Sequence, residues 1–374
     1  GSGDCGAEDV NLGVLVGKRK ASSRPYHEQT TFFRRLITEG KNIGVKVYIF
    51  SPSGISWKKR RIRGWTWTGR RWVSAVYPFP HAVYDRVSPR MIADFRAVVR
   101  ARARFARRRI PRFNTRIGSK WRLHKVFMKD PVLAPALPHT RLLTRASLDA
   151  MLRRYGEVYI KPASGGQGKG VSWARKAPGG YLYCKSAGGR TRRGRVATVA
   201  ALAARCAYRG RAMLVQQAIP VLTYRRRVFD VRALVQRRED GEWALTGMVA
   251  RLGAPSRKVT NIHAGGKALP LETVLEESGA GPDVIEGVRA RVEELALAAA
   301  NAVARSSQHV GELGVDVAVD KEYRCWLIEV NSRTGRISFH RAGMKEEARK
   351  ADQGPAAYAR FLAGRGRHGV QGGA

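Results

Sequence analysis

Acid is what this sequence has least of: 29 Asp+Glu stand against 70 Lys+Arg, a net charge of +41 over 374 residues. That imbalance points to a polyanionic partner, such as nucleic acid or an acidic peptide, or else to an arginine-rich composition with solvated basic faces. Cysteine is also scarce. Cys5, Cys184, Cys206 and Cys325 have no paired metal spacing and make no tight disulfide framework, which suggests a reducing cytoplasm. Long apolar runs are missing too. The stretch around "LALAAANAVA" (295–304) is too short and too amphipathic to span a bilayer, so no membrane association is expected. No secretory leader is visible, and Gly1-Ser2-Gly3 reads as a remnant of expression. No Ser-His-Asp or Cys-His arrangement suggests a side-chain nucleophile. The 44% hydrophobic content is ordinary for a globular chain, and the length allows two or three lobes.

The cations are clustered. Residues 100–125, "RARARFARRRIPRFNTRIGSKWRLHK", hold eleven Lys/Arg and no acid. A second basic stretch, "KKRRIRGWTWTGRRW" (58–72), interleaves tryptophans. Base stacking on Trp65, Trp67 and Trp72 competes with a plainer reading, in which a W-x-W hairpin faces a core.

Periodicity predicts a β-α-β start, with a strand at 12–16, a helix at 28–39 and a strand at 45–50, followed by a hairpin turning at Gly69. A short strand lies within "YPFPHAVYDRVSP" (77–89), and a basic helix over 90–109 is closed by Pro111. Helices are expected at 120–128 and 146–155, then a strand at 158–161, a basic connector, and an Ala-rich helix at 196–208. Strands follow at 212–219, 228–237 and 243–253, with a long amphipathic helix over 284–306. The tail after Gly364 is expected to be irregular.

Two stretches carry chemistry. "YIKPASGGQGKGV" (159–171) joins a strand to a returning strand through glycines and a lysine, the composition of a phosphate cradle. It is not a P-loop, since Ala163 and Gly170 occupy positions that need Gly and Ser or Thr, and Val171 breaks a dinucleotide fingerprint. The second stretch is "ELGVDVAVDKEYRCWLIEVNSRTG" (312–335), in which Val315, Val317 and Val319 alternate with Asp316 and Asp320. Closing a hairpin with Asp320 opposite Cys325 sets Asp316 opposite Glu329, on the face shared by Cys325, Leu327 and Asn331. Asp316, Glu329 and Asn331 are hard oxygen ligands that suit Mg²⁺ or Mn²⁺ shared with substrate phosphates. A plain solvent-facing hairpin is the competing reading, but "CWLIEVN" is too apolar for one. Glycine loop and carboxylate hairpin together imply a nucleoside triphosphate with Mg²⁺.

The ordered set "GSKWRLHK", "VYIKPASGGQGKGV", "MLVQQAI", "FDVRALVQ", "ARLG", "TNIHAGG" and "GVDVAVD…WLIEVNSRTG" resembles the ATP-grasp superfamily. With "YPFPHAVYDRV" upstream, it is similar to the endospore coat-associated YheC/YheD group over roughly residues 10–345. The resemblance implies a mixed α/β and α+β fold, in which a pre-ATP-grasp lobe precedes a two-lobed ATP-grasp fold with antiparallel sheets. The corresponding limits are 1–114 (1–9 remnant or flexible), 115–348, and a C-terminal helix and flexible tail over 349–374. Within the middle part, a glycine-loop lobe spans about 140–210 and a metal-binding lobe about 211–348.

The resemblance also implies roles. Lys120 and Lys161 would contact the nucleotide phosphates, with Ser164, Gly165, Gly166, Gln167, Gly168 and Lys169 closing over them. Gln216, Gln217, Ala218 and Ile219 would form the adenine hinge, although Gln216-Gln217 stand where many relatives carry an acid. Asp316, Glu329 and Asn331 would hold Mg²⁺, and Arg232, Arg251 and Asn261 would line the transferred phosphate and acyl group. His263 is a candidate base for the amine, but a lone histidine in "NIHAGG" also reads as a turn residue.

The activity implied is a Mg-ATP-dependent carboxylate–amine ligase working through an acyl phosphate. Its partners would be ATP, an acidic carboxylate substrate such as a peptide, and an amine such as an amino acid, with spore association. Two other classes remain open. One is a coat scaffold that keeps a nucleotide-binding fold, which would not need the full set of charged residues. The other is a polyanion- or nucleic-acid-binding protein, less favoured, whose affinity would fall steeply with salt and ignore ATP.

Overall fold

The computed structural model describes residues 10–368 apart from 89–94, 166–169, 188–189, 209, 254–266 and 308–309. Three sheets carry the architecture, and all but the first are purely antiparallel.

The first sheet comprises β1 (Val10–Leu15), β2 (Val45–Phe50), β3 (Ile55–Ser56), β4 (Arg61–Trp67), β5 (Trp72–Pro78), β6 (Ala82–Asp85) and β7 (Arg112–Phe113). Strands β2, β1, β6 and β7 run parallel in that order. Helix α1 (Thr30–Asn42) is the β1–β2 crossover, burying Phe33, Leu36 and Ile37 at helical spacing. Helix α2 (Phe95–Arg107) buries Val98, Ala101 and Phe105, turns Arg102 onto Asp85 and lays Arg104 over the Trp57 ring. The tryptophans of the 58–72 stretch are used within the protein: Trp67 and Trp72 pack on the first core, and Arg19 stacks over Trp65 at 3.9 Å.

The second sheet has the order β12-β11-β10-β9-β13-β8. Its strands are β8 (Thr140–Leu142), β9 (Glu157–Pro162), β10 (Ser172–Ala177), β11 (Gly180–Ala187), β12 (Arg190–Val196) and β13 (Met213–Gln217). Helix α3 (Lys120–Phe127) precedes it, while α4 (Arg145–Tyr155) and α5 (Val199–Cys206) cover one face. The expected basic connector is therefore a correction: most of it forms β10 to β12. Its polar positions lie on a sheet edge where neither face is fully buried, so no clean apolar alternation marks it.

The third sheet, order β17-β16-β15-β18-β19 with β14 beside β15, is built on the largest core. It comprises β14 (Thr223–Tyr224), β15 (Arg227–Arg237), β16 (Trp243–Leu252), β17 (Ala268–Leu269), β18 (Glu312–Val319) and β19 (Cys325–Asn331). Helices α6 (Leu271–Glu277) and α7 (Pro282–Ser306) pack on its apolar face. Helix α8 (Ile337–Arg341) precedes α9 (Lys345–His368), which returns to the first sheet and buries Ala356, Tyr358 and Ala359 there. The tail expectation is corrected as well, since helix continues beyond Gly364 to His368, and 369–374 lie outside the described residues. Among the described residues no helix is long and apolar enough to cross a membrane.

A buried polar hub joins the first and third sheets. Glu312 is 1% exposed and accepts hydrogen bonds from Tyr84, Asn114, Gln236 and Arg336, the Asn114 and Gln236 bonds both at 3.0 Å. Arg336 also donates to Ala351 O of α9 at 2.8 Å. Removing one partner of a buried ion pair leaves the other charge uncompensated, at a cost of about 3–5 kcal/mol. Glu312→Gln is therefore expected to lose about 3 kcal/mol in urea unfolding, and Tyr84→Phe only about 1 kcal/mol. Equal, small losses would show that the hub does not hold the sheets together.

Candidate active site

The cleft lies between the second and third sheets and is closed at one end by α3. Residues at helical spacing on α3 (Lys120, Leu123, His124, Phe127) form one wall. Thr140, Lys161, Leu214 and Gln216 of the second sheet and Leu327 to Val330 of β19 form the others, enclosing about 450 Å³ open to solvent. Alternation on β9 turns Val158 and Ile160 into the core of the second sheet, which leaves Lys161 on the cleft face.

Four of the expected nucleotide-site and metal-site residues meet here. Lys120 Nζ bonds Glu329 Oε1 at 2.8 Å and Gly165 O at 2.6 Å, tying the start of the glycine loop to the far sheet. Arg211 Nη1 holds Ser164 O at 3.3 Å. Lys161 Nζ donates to Gln216 Oε1 at 2.8 Å, and Gln216 Nε2 donates to Thr140 Oγ1 at 2.8 Å. An amide at 216 can accept and donate at once, which an ionised carboxylate cannot. Gln217 N–H is taken by His139 O at 2.9 Å, and Ile219 O by Val221 N at 2.8 Å. Ala218 completes the stretch expected to form the hinge. At the loop's far end Gly170 has φ +76°, and a Cβ there would lie 2.6 Å from the Tyr208 ring. Gly166, Gln167, Gly168, Lys169, Asn261 and His263 lie outside the described residues.

The hairpin differs from its expected register in an instructive way. It closes with Val319, not Asp320, opposite Cys325. A bulge at Ile328 then inserts one extra residue into β19 and restores Asp316 opposite Glu329. Cys325, Leu327 and Val330 consequently face the core with Val315, Val317 and Val319, while Glu329 and Asn331 face away with Asp316. The expected sharing of one face by Cys325, Leu327, Glu329 and Asn331 is thus corrected. The bulged Ile328 lines the cleft.

Asp316 is gripped from two sides. Arg232 on β15 reaches it with Nε at 2.5 Å and Nη2 at 3.0 Å, and Arg251 on β16 with Nη2 at 3.0 Å. Arg251 also forks onto Asp230 at 2.8 and 2.7 Å, and Arg232 Nη1 donates to Thr334 Oγ1 at 3.1 Å. Gly314 permits this approach, since a Cβ there would lie 2.5 Å from Thr334 Oγ1. Burial works to raise the Asp316 pKa, but the charges and hydrogen bonds of Arg232 and Arg251 outweigh it and hold the carboxyl below its ordinary value. Asn331 Nδ2 lies 3.4 Å from Asp316 Oδ2. Two carboxylates and an amide form an open oxygen set, which fits Mg²⁺ completed by phosphate oxygens better than an enclosed all-protein site.

Asp230, Thr140 and His124 were not singled out from the sequence. Asp230 was readable from its two-residue spacing to Arg232 on one strand face, and His124 from its four-residue spacing to Lys120. Thr140 left no signal. Burial pushes the His124 pKa down to about 4, helped by Lys161 and His139, so its imidazole is neutral at pH 7.

Burial also pushes Lys161 down to about 8, with Glu329 pulling it up and Lys120 pushing it further down. The unfolded chain, with Lys near 10.5, binds more protons than the folded chain above pH 8. Stability is therefore expected to rise from about pH 8 towards pH 10 through this group. Comparing urea unfolding of wild type and Lys161→Met isolates that rise, because the variant should lack it. Parallel pH curves would contradict a desolvated lysine.

A sequence model described as YheC/D-like ATP-grasp matches residues 109–362. The chain is 28% identical over 341 residues to the endospore coat-associated protein YheD of Bacillus subtilis (strain 168), covering 88% of this chain and 74% of that protein. Among solved structures it is similar to the D-alanine-D-alanine ligase from Coxiella burnetii, with TM-score 0.52 and 12% identity, covering 98% of this chain and 97% of that one. N5-carboxyaminoimidazole synthase from Aspergillus clavatus is similar at TM-score 0.52 and 14% identity, over 95% of this chain and 77% of that one. At these identities the structural likeness speaks for the fold.

Proposed function

Since the chain belongs to the YheC/D-like ATP-grasp family, we propose that it is a Mg-ATP-dependent carboxylate–amine ligase acting through an acyl phosphate. One observation carries the reading. Lys120, Lys161 and Glu329 line a single cleft, and Glu329 pairs in register with Asp316, which two arginines grip.

In the first half-reaction an oxygen of the acyl substrate's carboxylate bonds the γ-phosphorus of ATP as the bond to the β-phosphate oxygen breaks, releasing ADP. In the second, the amine nitrogen bonds the activated carbonyl carbon, phosphate leaves, and the amine gives up a proton. The first step brings anions together, so the catalytic task is charge neutralisation and positioning. Lys120 and Lys161 serve the nucleotide phosphates from the cleft walls. Arg232 and Arg251, with Asn261, serve the transferred phosphate and the acyl group. Asp316, Glu329 and Asn331 would hold Mg²⁺, which supplies neutralisation of phosphate charge when bound. The backbone of Gln216 to Ile219 serves adenine. Segment 164–170 covers the phosphates and excludes water from the acyl phosphate.

The net charge of +41 supports an acidic acyl substrate, such as a peptide or polymer, with an amino acid as the amine. The likeness to a protein named as endospore coat-associated supports a role at the spore.

Trapping with hydroxylamine across candidate acids tests the chemistry: a competent acid should give a hydroxamate together with ADP. Glu329→Gln is expected to reduce ADP formation roughly a hundredfold or more, the scale of losing one group that stabilises transition-state charge, with an unchanged melt in the absence of ligand. Wild-type turnover in that variant would remove Glu329 from the site. ADP release without hydroxamate from any acid would contradict the acyl-phosphate route.

A further inference from the structure

Arginines outnumber acids sharply where the carboxylate hairpin exits towards the first sheet. Strand β6 ends on the fully buried Asp85, whose oxygens accept Arg102 Nε and Nη2 at 2.8 and 2.9 Å and Arg112 Nη1 at 2.9 Å. Arg86, next in the chain, bonds Gln29 Oε1 at 2.9 Å and lies 3.9 Å from Glu312, which Arg336 already neutralises. Asn114, between Arg112 and Arg116, donates through Nδ2 to Ser332 O at 2.8 Å. That bond brings Arg333 to the same place, two residues beyond Asn331. Arg333 and Arg116 are both exposed, and Arg333 feels the charges of Asp85, Arg86, Arg102 and Arg116. Among the described residues Arg116 and Arg333 have neither a hydrogen bond nor an ion pair.

The location is where such a sheet offers a binding crevice. The chain leaves β1 towards β2 on one side, and β6 is added on the other. That is a topological switch point, and ligands of open parallel sheets bind outside the carboxyl ends of the strands there. Asp85 and Arg86 stand at the carboxyl end of β6, and Arg116 follows β7.

We propose that Arg116 and Arg333 form a subsite for a second carboxylate of the acyl substrate, making an acidic peptide the preferred acyl donor. Arg86, Arg102 and Arg112 supply the surrounding positive potential. The inference rests on the ligase reading, because a ligase's acyl substrate already presents one carboxylate beside Asn331. Guanidinium forks match carboxylates bidentately. A nucleic acid is less well served, since Arg19 and Arg34 already stack over the Trp65 and Trp67 rings at 3.9 and 4.1 Å.

The test measures ADP release by the full chain with saturating Mg-ATP at about 150 mM salt, where exposed charges more than about 8 Å apart are largely screened and direct contacts persist. Hexaglutamate is compared with hexaglutamine bearing the same free C-terminal carboxylate, and an oligothymidylate serves as competitor. Hexaglutamate should act at roughly tenfold lower concentration than hexaglutamine, the scale of one charge-assisted hydrogen bond. Arg333→Gln and Arg116→Gln should each erase that preference while keeping the rise in melting temperature with Mg-ATP. Arg96→Gln, on the exposed face of α2, should keep both. Equal response to the two peptides, or a preference intact in both subsite variants, overturns the subsite and leaves the ligase reading standing. Competition by the oligonucleotide at lower concentration than hexaglutamate overturns it in favour of nucleic acid. No Mg-ATP effect on the wild-type melt removes the ligase reading, and this inference with it.

Discussion

Three carboxylates spaced four residues apart organise the molecule: Glu312 and Asp316 on β18, and Asp320 directly after it. The alternating valines put them all on the face away from the largest core. Each is buried, and a buried charge is tolerated only with a partner. Glu312 takes Arg336 and the hydroxyl of Tyr84, fastening the first sheet and α9 to the third. Asp316 takes Arg232 and Arg251. Asp320 takes Arg324 and Trp326 Nε1, at 2.8 and 2.9 Å, and with them the turn of the hairpin. This strand and the residue after it thus set the junction of the first and third sheets, the carboxylate gripped beside the cleft and the hairpin's closure, and the arginines make it possible.

The same pairing explains the state of the cleft. Charges in the cleft and on the sheet face beside it neutralise one another: Lys120 with Glu329, Arg232 and Arg251 with Asp316 and Asp230. Phosphates would compete for the cations, and Mg²⁺ for the carboxylates, so binding amounts to an exchange of partners. Lys161 differs from the rest in resting on a neutral amide, Gln216, and its depressed pKa reflects that. An arriving phosphate would give it the partner that burial withholds.

The site was more legible than its support. The two-residue alternation in "GVDVAVD" and "LIEVN" was enough to pair Asp316 with Glu329, and the glycine loop between two strands was plain from its composition. The bulge at Ile328 was not, because one inserted residue in an apolar strand leaves the pattern almost unchanged while reversing which side chains face the core. Strand β12 was missed since its arginines are exposed and mimic a loop, and β11 since glycines flank it and that basic stretch follows. Helix α9 beyond Gly364 was missed because glycine and arginine suggest disorder locally. The Glu312 hub joins residues more than two hundred positions apart, as with Tyr84, and no local pattern can announce such a contact. Family resemblance supplied the roles of Lys120 and the hinge, which spacing alone would not have assigned.

The central claim is that the cleft exchanges its internal ion pairs for Mg-ATP. The most direct test is a thermal melt with ATP alone, Mg²⁺ alone and both together, for wild type and Asp316→Asn. A ligand at about 100 times its dissociation constant adds roughly 2.7 kcal/mol, enough to raise the melt by about 2 °C or more. The account predicts that rise in the wild type only when both are present, and a much smaller one in Asp316→Asn. No rise in the wild type, or an equal rise with and without Mg²⁺ in both proteins, would contradict it.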